Sequence, residues 1–194
     1  SSCGLFDPCD FGIRGLGTPT TTITVNGNLS IPDIDSASGT IVFGSATGDQ
    51  NFTVNLKGNF SMADIDALMY TNLNFTHASA NQNISQTAGT ISGGTWTINK
   101  AGGSALLTSN VVGQNWLEEY FTNNNNWVVS SGTLNLQTYT LFTGGSYSQS
   151  GGTFSGGTGS IVFGNGFSLT GGAFTSTSGT MWIYNTFSRS AGIT

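Results

Sequence analysis

The run Gly151-Gly152-Thr153-Phe154-Ser155-Gly156-Gly157-Thr158-Gly159-Ser160-Ile161-Val162-Phe163 comes back twenty residues later as Gly171-Gly172-Ala173-Phe174-Thr175-Ser176-Thr177-Ser178-Gly179-Thr180-Met181-Trp182-Ile183. Working outward, Gly132, Gly152, Gly172 and Gly192 stand in one register, as do Leu134, Phe154 and Phe174. So do Leu141, Ile161 and Met181, and Tyr147, Phe167 and Phe187. Small polar residues recur between them: Thr138, Thr158 and Ser178; Thr140, Ser160 and Thr180; Ser148, Ser168 and Ser188. Each unit reads as three short strands parted by glycine-rich bends.

A fixed short period marks chains whose units bury their apolar face only by stacking on one another. Twenty residues is too short for a propeller blade or a helix pair. The spacing predicts an all-β fold, a parallel β-helix (β-solenoid) of about 20-residue coils with three short strands each, successive coils about 4.8 Å apart. The aligned Leu, Ile, Met, Phe and Tyr residues are then inward ladders. The period extends upstream: Ser38-Gly39-Thr40-Ile41-Val42-Phe43-Gly44 nearly copies Thr158 to Gly164, while Gly27-Asn28-Leu29-Ser30 and Gly58-Asn59-Phe60-Ser61 echo Gly166-Phe167-Ser168. This divides the chain into an N-terminal arm, 1–19, and a β-solenoid, 20–194, with insertions near 61–70 and 114–126. Ser61 and Asp64 have capping-box spacing ahead of Ile65, Leu68 and Met69, so the first insertion reads as a short helical or irregular excursion.

Ser, Thr, Asn and Gly make up 100 of the 194 residues, and Lys, Arg, Asp and Glu only 7%. Periodic hydrophobic residues, 37% of the chain with 13 Phe and 4 Trp, argue for order over low complexity. All nine acidic residues precede residue 120, and no charge lies between Tyr120 and Ser188. Stacking accounts for this, since like charges about 4.8 Å apart would repel by roughly 3 kcal/mol per pair at an effective dielectric of 20. With a net charge of -5 and only Arg14, Lys57, Lys100 and Arg189 as cations, nothing is available to neutralise phosphates, which excludes nucleic acid as a partner. No run of 18 apolar residues exists, which predicts no membrane span. The start without Met and the stop at Ala191-Gly192-Ile193-Thr194 read as a mature or excised piece of a secreted protein.

Cys3 and Cys9 flank Pro8, and in an extracellular chain they form a local disulfide or remain two free thiols. Sequons at Asn28, Asn51, Asn59, Asn74 and Asn83 are candidate glycosylation sites in a glycosylating host. Chemistry is sparse. Asp33/Asp35 and Asp64/Asp66 form Asp-x-Asp pairs that suit Ca²⁺ or acid/base work, or simply cap turns. His77 is the sole imidazole and no Gly-x-Ser-x-Gly is present, so no triad, catalytic site, metal site or cofactor is expected. Glu118 and Glu119 beside Trp116 and Tyr120 suit a sugar ring, or an excursion packing its aromatics on the solenoid. Strand alternation turns Phe142, Val162 and Trp182 outward in one row, a candidate interface for another subunit or a returning N-terminal arm, unless a bulge inverts the strand parity there. The incomplete last coil around Ile193 is a second.

Ser38 to Gly44, Gly89 to Gly103 and Gly151 to Phe163 resemble the degenerate repeats of large bacterial surface proteins, the β-strand-repeat and adhesin-like β-solenoids, over residues 20 to 194. The resemblance implies an extracellular, cell-surface protein serving as adhesin, matrix component or fibre. Together with the neutral stackable coils, it predicts a structural filament or repeat that is not an enzyme and whose partners are copies of itself, joined end to end or by strand exchange from Thr20 to Val25, with glycans attached where the host adds them. Two other classes are weighed. A carbohydrate-active or phage tail-fibre β-helix requires Asp33, Asp35, Asp64, Asp66, Glu118 and Glu119 to converge in a groove. Ice binding would use the Thr138/Thr140, Thr158/Ser160 and Ser178/Thr180 array.

Overall fold

The computed structural model describes the backbone of residues 11–13, and residues 21–33, 41–44, 52–113 and 125–190 in full. Among them the protein is all-β, with no helix, and every strand pairing is parallel. The strands stack in three ladders. The first runs through Phe11–Ile13, Ile41–Phe43, Ala67–Met69 and Thr90–Ile91. An isolated bridge from Ile91 to Gly113 carries it on to Val111–Val112, Leu141–Thr143, Ile161–Phe163 and Met181–Ile183. The second ladder runs from Thr21–Val25 through Phe52–Leu56 and Asn72–Phe75 to Ser146–Gln149, Gly166–Leu169 and Phe187–Arg189. The third takes in Leu29–Ile31, Phe60–Met62, Gln82–Gln86, Thr153–Ser155 and Ala173–Thr175. Two long strands, Thr95–Leu107 and Asn126–Asn135, lie in both and fuse them into one 13-stranded sheet.

In the last third the register is the one the repeat demands: Leu141 faces Ile161 and Ile161 faces Met181, Tyr147 faces Phe167, and Phe154 faces Phe174. Earlier the separation widens, with Thr21 facing Phe52, Leu73 facing Trp96 and Val111 facing Leu141. The strands hold their positions while the bends between them absorb the surplus.

The core is a set of columns running through the ladders. One passes from Ile23 through Val54, Leu73, Trp96, Trp127, Tyr147 and Phe167 to Phe187. Its middle six members are buried, and each buried side chain of this size removes enough apolar surface to stabilise the fold by about 1.5–3 kcal/mol. Trp96 and Trp127 sit 5.2 Å apart with both indole nitrogens buried and unpartnered. Their ring area outweighs a desolvation penalty of about 1–3 kcal/mol each. Tyr147 avoids that penalty by donating to Gln149 Oε1 at 2.8 Å, and burial pushes its hydroxyl far above the ordinary tyrosine range.

Polar side chains continue the ladders where the backbone bends. The Oδ1 atoms of Asn28, Asn72, Asn81, Asn110 and Asn126 accept from the backbone N–H of Asn59, Thr95, Ser104, Thr140 and Ser146 on the next strand. An amide oxygen thus replaces a carbonyl that has turned away. Glycines let the bends approach each other: a Cβ on Gly157, where φ is +62°, would lie 1.6 Å from the Gln137 carbonyl oxygen. Gly156 has ordinary φ and is needed for space alone, its Cβ falling 2.5 Å from Thr177 N.

Three expectations are corrected. Ser61 to Tyr70 forms no helix: Ser61 lies in Phe60–Met62, a turn follows, and Ala67–Met69 enters the first ladder between Ile41–Phe43 and Thr90–Ile91. Its burial alternates, with Ala67 and Met69 inside and Leu68 half-buried, which is the period of a strand. Asp64 does cap, accepting from Asp66 N at 2.9 Å across that turn. Secondly, the Gly-Asn-Leu-Ser and Gly-Asn-Phe-Ser segments fall on the third ladder, whereas Gly166–Leu169 falls on the second, so their likeness does not mark equivalent places. Thirdly, two residues within the expected 114–126 insertion belong to the stack, because Asn126 opens a core strand and Asn125 is buried. Phe11–Ile13, which falls within the 1–19 arm, pairs in parallel with Ile41–Phe43 and so already belongs to the first ladder, while residues 1–10, with Cys3 and Cys9, and residues 114–124 lie outside the described residues.

Candidate functional site

The surfaces that stand out are the two ends of the stack and the outer face of the first ladder. At one end Trp182, Tyr184 and Phe187 are about half exposed. Phe187 stacks on Phe167 at 5.3 Å and 7° with its other face open. At the other end Ile23, in the same column, is 38% exposed. Residues of core character are exposed there because the described ladders stop.

Phe142, Val162 and Trp182 do form one row, in register along the first ladder with Val112. The main packed cluster holds their neighbours Leu141, Ile161 and Phe163. Phe142 and Val162 are only 8% exposed, against 49% for Trp182. Trp182 is the accessible part of the row, and Ile193 lies outside the described residues.

The candidate acidic site does not assemble from what is described. The two Asp-x-Asp motifs follow the paired strands Leu29–Ile31 and Phe60–Met62 at the same offset. Asp64 is buried with a carboxylate oxygen committed to its own turn, while Asp33 and Asp66 are exposed. Among the described residues no three His, Cys, Asp or Glu side chains group as metal ligands. Asp35, Glu118 and Glu119 lie outside those residues.

Of the sequons, Asn51 is likewise outside. Asn28, Asn59 and Asn83 stack in one column on the third ladder, since Leu29 faces Phe60 and Phe60 faces Ile84. Asn59 donates its N–H to Asn28 Oδ1 at 2.9 Å, and Asn83 donates to Asn59 Oδ1 at 2.8 Å. Asn74 lies on the second ladder and donates from Nδ2 to Asn55 Oδ1. The Thr138/Thr140 array is not a strand face: Thr138, Thr158 and Ser178 sit at bends.

One constellation escapes sequence reading. Lys100, in the middle of a 13-residue strand, is 1% exposed, and its Nζ donates to His77 O, Ala80 O and Gln82 Oε1 at 2.9–3.0 Å. All three acceptors are neutral, and burial lowers its ammonium below the ordinary lysine range. The only sequence signal is a lone cation amid Thr, Ile, Ala and Gly.

No protein-family model, curated protein or solved structure matches the chain.

Proposed function

We propose that the chain is a structural element of an extracellular fibre or surface matrix: a parallel β-solenoid of about 20-residue coils, three short strands to a coil, that extends by stacking further coils on its ends. The observation that carries this reading is the column from Ile23 to Phe187, inward throughout yet exposed at both termini. Stacked-repeat proteins need polar caps at their ends to stay separate, and parallel edge strands with free N–H and C=O groups recruit another strand. A second copy placing its Thr21–Val25 strand on Phe187–Arg189 would set Ile23 against Phe187 and restore the parallel pattern. The likeness to adhesin-like β-strand repeats, the charge-free stretch from 120 to 188 and the Ser/Thr/Asn surface support an extracellular, self-associating role without catalysis.

The test is electron microscopy with light scattering on the purified chain, alongside Phe187→Asp. Filaments with a subunit-scale axial repeat, shortened or abolished by Phe187→Asp, are expected. A monodisperse particle at all concentrations for both proteins overturns the reading.

A further inference from the structure

Among the described residues, the one imidazole and the one fully buried cation share one corner of the molecule. The backbone between Asn72–Phe75 and Gln82–Gln86 loops out through residues 76–81. His77 Nδ1 accepts two hydrogen bonds there, from Ser79 N at 3.2 Å and Ala80 N at 2.9 Å. The backbone N–H of His77 donates to Gln82 Oε1 at 3.0 Å. The turn so closed presents the His77 and Ala80 carbonyls to Lys100 Nζ. Gln82 is fixed from the other side by Leu56 O and Gly58 O.

We propose that this corner is an acid-sensitive latch: the turn over residues 77–80 is held closed by neutral His77 and opens when Nδ1 takes up a proton. An imidazole nitrogen that accepts from two backbone N–H groups does so with its lone pair, and protonation converts the acceptor into a donor facing two donors. Both bonds are lost together. The carbonyl of the same residue accepts from the Lys100 ammonium, so opening the turn also disturbs the seat of that cation. The charged groups around the corner are Lys100 and, between the two carbonyls that hold Gln82, the exposed Lys57. Among the described residues neither His77 nor Lys100 forms an ion pair with a carboxylate. Opening withdraws two of the three acceptors of Lys100 and loosens this corner while the columns below it stay packed. The latch is independent of whether the stack assembles into fibres.

The test is amide hydrogen exchange, read as protection factors at pH 8 and pH 5, for the native chain and for His77→Asn, whose side-chain oxygen keeps an acceptor near Nδ1 without titrating. That change creates Asn-Ala-Ser, so both proteins are made in a host without N-linked glycosylation. Protection at Ser79 and Ala80 in the native chain is expected to fall about tenfold at pH 5, the scale of two ordinary hydrogen bonds lost. Val54 and Ile98 should stay protected, and His77→Asn should show no fall. Equal protection of Ser79 and Ala80 at both pH values in the native chain, or the same fall in His77→Asn, overturns the proposal.

Discussion

Phe154 and Phe174 lie face to face, ring centroids 4.6 Å apart and 6° from parallel, as register partners on adjacent strands of the third ladder. Isolated aromatic pairs favour offset or edge-to-face contact. Here the strand spacing sets the separation and identical positions set the orientation, so the stack is a consequence of the repeat. Tyr147 meets both rings edge-on, at 5.3 and 6.0 Å, tying the second ladder to the third.

Replacing Phe154 by Ala should therefore cost about 3–5 kcal/mol, because its rigid neighbours cannot collapse into the space left. Phe154→Leu, which copies Leu134 in the same column, should cost about 1 kcal/mol or less. Urea unfolding of the three proteins measures both, and equal losses for Ala and Leu would contradict the column packing.

The glycines divide into those the stack requires and those it does not. Gly157→Ala would drive a methyl into the Gln137 carbonyl at a φ of +62° and should lose more than about 2 kcal/mol. Gly27, with nothing within 4 Å of a built Cβ and no positive φ, should accept Ala with a change between zero and about 1 kcal/mol in the stabilising direction. Thermal midpoints of the two variants make the comparison.

How far these features can be read from the chain depends on the bends. Where bends are constant, from Gly132 onward, every register pair is legible, since Leu141, Ile161 and Met181 can be aligned by counting. Upstream, surplus residues in the bends hide the period, and local patterns mislead. Ser61 to Met69 has helical spacing only because an Asx-capped turn at Asp64 resets strand alternation. Phe142 and Val162 are buried in strands buried at every position, so alternation alone does not give their exposure. The Lys100 seat is invisible because two of its acceptors come from a turn about twenty residues away whose geometry depends on His77, and the third from the Gln82 side chain on the strand that follows.

Lys100 gives the molecule a pH dependence on the alkaline side. Burial lowers its folded-state value below the ordinary 10.5, so in that window the unfolded chain binds more protons than the folded one. The contribution of this group to stability therefore rises as pH climbs through the lowered value towards 10.5 and is lost as pH falls. Lys100→Met should flatten the slope of unfolding free energy between pH 7 and 10.5. It should also lose about 1–3 kcal/mol at neutral pH, because it orphans three acceptors. Denaturant titrations across that range would expose a slope unchanged by the substitution.

The column Asn28, Asn59, Asn83 separates a structural use of asparagine from a glycan-bearing one. Asn59 accepts the Asn83 N–H through Oδ1, a bond that needs an oxygen but no amide nitrogen. Asn59→Asp keeps that acceptor and Asn59→Ala removes it, while both destroy the sequon. If the side chain works as a ladder rung, Ala should cost about 0.5–1.5 kcal/mol in protein made without glycosylation, and Asp should cost clearly less. Repeating the pair in protein from a glycosylating host isolates whatever an attached sugar adds. Equal destabilisation by Ala and Asp in the sugar-free protein would show that the amide nitrogen, and not the rung, is what the position requires.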